Sequence, residues 1–302
     1  MFEIPENILE TFFENIRVVK KCQVEFKGNG ALIKPHKDEE YYKPVIIVKD
    51  LNKLRESLIN YLNIIVKFYE GASLRDHHNL SYFITKLLSN MTASDALDLA
   101  SYIDKISYFF TNNHFAELDE YTLIDVQDNA KFYVKRVKEE VGLETPYILD
   151  FKMEVDGKIY DMPIVRYAFD KNNVCHLFAI QFGRFRDIKV QDINYKNVVN
   201  KINSGIKRYR NVSPSFVITF SLFLKLLQAY GVNKVVVPDF LFNRYRLYFK
   251  AKTEVRGNEV LMRILDNFLT LLQRMEYQFE FFEIDNYPNE IDSFTHITLK
   301  NN

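Results

Sequence analysis

The sequence has few cysteines, no tryptophan and no excess of charge of either sign. Its 302 residues include two cysteines, Cys22 and Cys175, which are far apart and lack CxxC spacing. Two such cysteines exclude a disulfide framework and a zinc ribbon, and they favour a protein of the reducing cytoplasm. The 40 Lys and Arg residues balance 40 Asp and Glu residues. That balance excludes a uniformly basic nucleic-acid coat protein and an acidic solvating tail.

Long hydrophobic runs and targeting segments are also missing. Residues 1–14 carry four acidic side chains and no Lys or Arg, unlike a secretory signal peptide. The most apolar window, residues 216–229, is interrupted by Lys225 and is shorter than the roughly 20 residues that span a bilayer. We therefore expect a cytoplasmic protein without membrane association.

Common catalytic motifs are absent as well. The chain has no GxSxG, HExxH, GxxxxGK[ST] or GxGxxG pattern. Of its six histidines, His77 and His78 are adjacent, which suits either a metal or acid–base site or an exposed polar loop. We favour the loop, because neighbouring side chains on a helix diverge and no Cys or further His is nearby in the sequence. We expect no bound metal.

Charge is distributed unevenly along the chain. Residues 1–144 hold 18 Lys and Arg against 23 Asp and Glu, whereas residues 145–302 hold 22 against 17. The excess of basic residues is concentrated in residues 184–256, named here the basic segment, which contains 15 basic and four acidic residues. Such a segment can bind nucleic acid or an acidic protein, or it can complement the acidic N-terminal half of the same chain.

Helical spacing dominates the expectation for the first part of the chain. Gly28-Asn29-Gly30 supplies turn chemistry for a small β-hairpin between residues 17–27 and 31–34. Asp50 is a plausible N-cap for a helix that ends at Gly71. Residues 1–144 therefore predict a mainly helical region with one β-hairpin, and the expected helices are 1–15, 51–70, 80–90, 94–110 and 122–141.

A boundary near Pro146 separates this region from residues 145–302. Asp156-Gly157 is a strong hairpin signal, and it predicts an antiparallel meander of strands 147–155, 159–169 and 174–182. The resulting fold class is α+β, in which a mixed, mainly antiparallel sheet with flanking helices follows the helical part. The further expected elements are helices 194–209, 216–230 and 259–275 and strands 234–238, 277–284 and 294–300.

From residue 122 onward this order of elements resembles the GNAT acetyltransferase superfamily. That fold has a helix, three antiparallel strands, a helix that receives the cofactor pyrophosphate, a strand, a helix and two final strands. The resemblance implies an acyl-CoA-dependent N-acyltransferase, or a degenerate relative, that binds acetyl-CoA or another acyl-CoA. It also implies that the pantetheine arm lies between the strands predicted at 174–182 and 234–238.

The resemblance also implies candidate site residues. Arg208, Arg210 and the backbone N–H groups near Ser213 and Ser215 would bind the cofactor phosphates, and either serine could also be an ordinary N-cap. The family has a glycine-rich loop here, whereas residues 210–215 contain no glycine. Tyr245 or Tyr248 would donate a proton to the departing thiolate. The sequence does not identify the general base.

Two other interpretations stay open. The first is a non-enzymatic regulatory or defence-type module of a bacterium or mobile element, which binds nucleic acid or an acidic protein through the basic segment. Residues 240–252 interleave aromatic and basic side chains, which suits either base stacking or an edge strand. The second is a metal-dependent nuclease that uses Asp150 and Lys152, which lie on the same face of one expected strand. The alternative is that these two residues only form an ion pair.

The basic segment generates a first prediction. If it forms a continuous positive surface, the protein should be retained on immobilised heparin and released as salt rises, because phosphate and sulfate contacts release counterions. Elution would be measured against a linear salt gradient. Absent retention at low salt, or retention that does not depend on salt, would contradict a polyanion-binding surface.

Overall fold

The structure of the 302-residue chain is a computed structural model. It divides into two compact units, the first formed by Met1–Asn112, Glu139–Pro146 and Phe282–Ser293, and the second by Asn113–Lys138, Tyr147–Phe281 and Phe294–Asn302. The residues that the structure describes are 4–19, 21–34, 45–69, 83–84, 87–88, 91, 95–111, 114–127, 129–138, 145–181, 197, 214–236, 278–282 and 293–298.

The first unit begins with an amphipathic helix and a small antiparallel sheet. Helix α1 spans Ile8–Val19, so it starts and ends later than the expected helix 1–15. Strands β1 (Gln23–Lys27) and β2 (Gly30–Lys34) form the predicted hairpin, and β3 (Ile46–Val48) pairs antiparallel with β2. Gly28 has a φ of 59°, a conformation that glycine adopts without a Cβ clash.

Helix α2 (Leu51–Phe68) follows the predicted N-cap. Asp50 Oδ1 accepts hydrogen bonds from the backbone N–H groups of Asn52 at 2.8 Å and Lys53 at 3.2 Å. A short 3₁₀ turn at Asp95–Leu97 and helix α3 (Leu99–Phe109) occupy the region expected as helix 94–110. Helices α2 and α3 pack together through buried aliphatic and aromatic side chains.

Among the residues that the structure describes, the second unit is built on a nine-stranded sheet. Its strands follow the spatial order β11-β12-β10-β9-β8-β6-β5-β4, and β7 pairs with β6. The bounds are β4 Thr122–Gln127, β5 Ala130–Lys138, β6 Tyr147–Val155, β7 Lys158–Asp161, β8 Ile164–Phe169, β9 Cys175–Gln181, β10 Lys234–Val236, β11 Gln278–Phe282 and β12 Ser293–Thr298, with helix α4 at Pro214–Ala229. Helices together with this sheet make the fold α+β, as the sequence predicts.

The helix expected over residues 122–141 is wrong, because this stretch forms strands β4 and β5. Buried and more exposed side chains alternate at the start of β5, where Ala130, Phe132 and Val134 are buried. A period of two is the strand signature, and it matches the many β-branched and aromatic residues here. Residues 113–138 accordingly group with the second unit.

The predicted antiparallel meander is present with one interruption. Strands β6, β8 and β9 pair antiparallel, and Asp156 and Gly157 have φ values of 51° and 75° in the tight turn between β6 and β7. The single strand expected at 159–169 is divided into β7 and β8 around Met162 and Pro163. Proline has no N–H to donate to a sheet ladder, which explains why pairing stops there.

Helix α4 packs against β4, β8 and β9. It is apolar on nearly every side, and Phe220 and Phe223 are fully buried. On β6 the alternate residues Phe151 and Met153 are buried, as are Phe132 and Val134 on β5. These side chains form the core of the second unit and cover one face of its sheet.

Several expected elements lie outside the described residues. These are the helix 259–275, the stretch 240–252 and, apart from the helical residue 197, the helix 194–209. Within the expected helix 80–90, residues 83–84 and 87–88 are helical. Among the residues that the structure describes, no helix is both long enough and apolar enough to cross a membrane.

The cap of α2 generates a second prediction. Asp50→Ala removes the acceptor of two backbone N–H groups, so the free energy of unfolding should fall by about 0.5–2 kcal/mol. Asp50→Asn keeps a side-chain oxygen at the same place and should stay close to wild type. Urea unfolding of both variants, followed by circular dichroism, measures the difference. Equal destabilisation by both substitutions would contradict the capping role.

Candidate functional site

The junction of β9 and β10 differs from the rest of the sheet. These strands run parallel, with Cys175 opposite Val235 and His176 opposite Val236, whereas the neighbouring pairs β8–β9 and β10–β12 are antiparallel. Within the described residues this parallel pairing covers the first two residues of β9, which continues to Gln181. Ligands in α/β sheets commonly bind where strand order or direction changes, which makes this junction the candidate site.

Helix α4 lies in the connection between these two parallel strands. A helix in such a crossover runs antiparallel to the strands. Its N-terminus therefore lies at the end of the sheet where β9 finishes. The helix ends at Ala229, and Gly231 follows it with a φ of 69° and an N–H that donates to the carbonyl of Gln228 at 3.0 Å. Lys225 Nζ lies 2.8 Å from Asp125 Oδ2, and this ion pair joins the helix to β4.

A β-bulge interrupts β9 within the candidate site. Arg166 of β8 is opposite Ala179, but the next residue, Tyr167, is opposite Leu177, so Phe178 is the extra residue. A bulge bends its strand and increases the local twist. The bend therefore falls in the part of β9 that extends beyond its described pairing with β10.

An aspartate and a histidine meet at the start of β9. Asp170 Oδ1 accepts hydrogen bonds from the N–H groups of Asn172 at 2.8 Å and Val174 at 3.1 Å, which close the turn between β8 and β9. Asp170 Oδ2 lies 2.9 Å from His176 Nε2, and both side chains are largely buried. The turn therefore holds an imidazole at the first residues of the parallel junction.

The environment lowers the pKa of Asp170. Partial burial alone acts in the opposite direction and would raise it, but the hydrogen bond from His176 and those from the Val174 and Asn172 N–H groups favour the carboxylate more strongly. The carboxylate of Asp170 is therefore the acceptor, and Nε2 of His176 carries the shared hydrogen.

A second histidine supports the same turn. The His114 ring stacks on Phe169 with centroids 3.9 Å apart, and its Nε2 lies 2.5 Å from Asn173 Oδ1. Arg136 Nη1 donates to the His114 carbonyl at 3.2 Å, and its guanidinium lies 4.2 Å from the Tyr147 ring centroid. These contacts fix the β8–β9 turn against β5 and β6.

Asp150 and Lys152, the candidate nuclease pair, do lie on one face of β6. Asp150 is buried and its Oδ2 accepts a 2.7 Å hydrogen bond from Tyr121, while Lys152 Nζ lies 4.6 Å from the Tyr121 ring centroid and 3.9 Å from Asp161 Oδ1. Among the described side chains, no group of three His, Cys, Asp or Glu residues converges as metal ligands would. The contacts observed here fit a hydrogen-bonded structural cluster.

Of the cofactor-binding residues predicted from the sequence, Ser215 is described. It is the second residue of α4 and its side chain is buried, with 3% of the residue exposed. Between residues 214 and 236, the described part of the basic segment has two basic residues, Lys225 and Lys234. The other predicted site residues lie outside the described residues, namely Arg208, Arg210, Ser213, Tyr245 and Tyr248, as do His77 and His78.

Sequence reasoning missed the Asp170–His176 pair. Lys171-Asn172-Asn173 is a turn signal between the two expected strands, and an Asp directly before such a turn often accepts from backbone N–H groups within it. A His on the returning strand is then within reach of the same carboxylate. Tyr121 was also missed, because its contact with Asp150 depends on strands β4 and β5, which were expected to be a helix.

Comparisons with protein-family models, with curated proteins and with solved structures found no match to this chain.

Asp170 generates a third prediction. Asp170→Asn weakens the bond to His176 and should lower the free energy of unfolding at neutral pH by about 1–3 kcal/mol. The folded pKa lies below the ordinary value of 3.8, so the carboxylate stabilises the fold above that value and this contribution is lost as the pH falls through the folded pKa.

Denaturant unfolding of wild type and variant at several pH values measures this effect. The difference between the two proteins should shrink in acid, and Asp119→Asn, which removes a charge from an exposed site, should change little at any pH. A constant difference from neutral pH to below 3.8 would contradict the role assigned to the Asp170 carboxylate.

Proposed function

We propose that this chain is an acyl-CoA-dependent N-acyltransferase, and that acetyl-CoA or another acyl-CoA binds beside β9. The observation that carries the proposal is the parallel pairing of β9 and β10 in a sheet whose neighbouring pairs are antiparallel. A bulge bends β9 beyond its described pairing with β10, which suits an elongated cofactor lying along the strand.

The order of elements supports the GNAT resemblance. Three antiparallel strands, β6, β8 and β9, precede helix α4, and β10, β11 and β12 follow it. The first helix of the expected order is replaced by β4 and β5, which extend the sheet beyond β6. The expected helix 259–275 lies outside the described residues.

The start of α4 is the best position for the cofactor phosphates. Its first N–H groups lack partners within the helix and attract anions, and Arg208 and Arg210 precede it in the sequence. Because the Ser215 side chain is buried, this residue would contribute its backbone N–H instead of its hydroxyl. Ser213 would cap the helix or contact a phosphate.

The cofactor, when bound, supplies an activated acyl group as a thioester. Residues of the chain would then orient the thioester, exclude water and accept a proton from the attacking amine. Tyr245 and Tyr248 remain candidates for donating a proton to the departing thiolate.

Cofactor binding generates a fourth prediction. Acetyl-CoA should stabilise the protein by mass action, by about 2.7 kcal/mol at 100 times its dissociation constant. Replacing Arg208 and Arg210 by Ala should abolish this gain, because both positive charges would be lost at the phosphate end. Replacing Lys27 and Lys49, two exposed lysines of the first unit, by Ala removes the same charge and should preserve it.

Thermal denaturation of each protein with and without millimolar acetyl-CoA or CoA measures this stabilisation. Absence of any shift would end the acyltransferase proposal. If single-stranded nucleic acid gave a salt-dependent shift instead, the non-enzymatic binding module would be the better account. Equal effects of the arginine and lysine substitutions would show nonspecific charge attraction.

A further inference from the structure

The turn between β1 and β2 contains the only Asn-Gly dipeptide of the sequence, Asn29-Gly30. Lys27 and Gly30 are opposite each other in the register of the two strands, so Gly28 and Asn29 are the central residues of a two-residue turn. Asn29 is exposed to solvent. Asparagine is most readily deamidated when glycine follows it, because glycine has no side chain to shield its backbone nitrogen.

Packing explains why glycine follows Asn29. A Cβ atom at position 30 would lie 2.5 Å from the carbonyl oxygen of Val48 and 3.2 Å from that of Lys49. Both oxygens belong to the backbone, so they cannot move aside as the end of a flexible side chain can. The close approach of β2 to the end of β3 therefore requires the residue that makes Asn29 chemically labile.

Asn29 also joins the turn to the start of α2. Its Nδ2 donates to Asp50 Oδ1 at 3.1 Å, and its backbone carbonyl accepts from the Leu51 N–H at 2.9 Å. These contacts between Asn29, Asp50 and Leu51 are named here the turn–helix junction. The carboxylate that caps α2 thus holds the side-chain amide of Asn29 as well.

Both reacting groups are held while the junction is closed. In a β-turn the N–H of the fourth residue donates to the carbonyl of the first, and these residues are Gly30 and Lys27 here. Deamidation requires the Gly30 nitrogen to reach the side-chain carbonyl carbon of Asn29. The turn fixes the first group and Asp50 fixes the second, so neither can rotate toward the other.

We infer that Asn29 is a deamidation site controlled by the turn–helix junction. The site is protected while the bond from Asn29 to Asp50 is intact, and it reacts when the junction opens. This inference concerns the first unit and does not depend on the proposed acyltransferase function.

The chemical step needs water as its co-reactant. The Gly30 nitrogen attacks Cγ of Asn29, a C–N bond forms, and the side-chain nitrogen leaves as ammonia with the proton that the Gly30 nitrogen loses. The resulting succinimide ring is then opened by water at either of its carbonyl carbons. The product at position 29 is aspartate or isoaspartate, according to which C–N bond the water breaks.

Either product weakens the junction that protected the site. Aspartate at position 29 replaces the Nδ2 donor by a carboxylate oxygen, which would face Asp50 Oδ1 across the 3.1 Å that the hydrogen bond spans now. Two like charges at that separation repel each other. Isoaspartate also inserts a methylene group into the main chain, so the two-residue turn no longer has the length that sets its register.

Peptide mapping by mass spectrometry of the full-length protein tests the inference. Asn29 should be deamidated more slowly in the folded protein than in guanidinium chloride at the same pH and temperature. Asp50→Ala should accelerate the reaction in the folded protein by about two- to thirty-fold, which is the larger open population expected from the loss of an N-cap. Asp50→Asn keeps the acceptor oxygen and should stay close to wild type.

Asp156-Gly157 is an internal control in the same digest. This dipeptide lies in an exposed turn of the second unit and forms isoaspartate through the same type of ring. Its rate should not change with Asp50→Ala. Equal acceleration at both turns would show unfolding of the whole protein and would overturn local control by the junction. Equal rates at Asn29 in the folded and unfolded chains would overturn it too.

Thermal denaturation of Asn29→Asp tests the effect of the modification. The substitution should lower the melting temperature of the protein. Adding Asp50→Asn should restore part of the loss, because the amide introduced at position 50 can donate to the new carboxylate while its oxygen still caps α2. If Asn29→Asp is as stable as wild type, or if the second substitution restores nothing, the charge repulsion inferred at the junction is wrong.

Discussion

Two neighbouring strands that run parallel cannot be joined by a tight turn, and this constraint shapes the second unit. Between β9 and β10 the chain must cross a face of the sheet, and α4 lies in that crossover. The helix is buried on nearly all sides, so the apolar sheet residues of β4, β8 and β9 determine where it packs. The position of its N-terminus, and so of any anion site there, follows from the same crossing.

The sequence predicts those parts of the fold that depend on local chemistry. The Gly28 turn, the Asp50 cap and the Asp156-Gly157 turn each involve a few adjacent residues with known conformational preferences, and each is present. The helix over 122–141 was wrong, because apolar residues at helical spacing there also fit a strand, and pairing with β6 decides between them.

The candidate site was harder to predict because it depends on contacts between distant segments. Val236 meets His176 across 60 positions of sequence, and no local signal specifies that pairing or its direction. The Asp170–His176 contact is local in sequence, but its importance depends on its position beside β10. The uneven distribution of charge was visible from the sequence. The described part of the basic segment is nevertheless mostly an apolar helix, so the net charge of a segment does not indicate which fold its residues adopt.

The spatial order of the last described strands limits the order in which they can join the sheet. Strand β12 is the last described strand along the chain, yet it lies between β11 and β10. Strand β11 therefore reaches the sheet only through β12, although β11 comes first along the chain. Until β12 pairs with β10, one side of β10 exposes unpaired backbone groups, so the docking of β12 protects β10 and creates the position that β11 occupies.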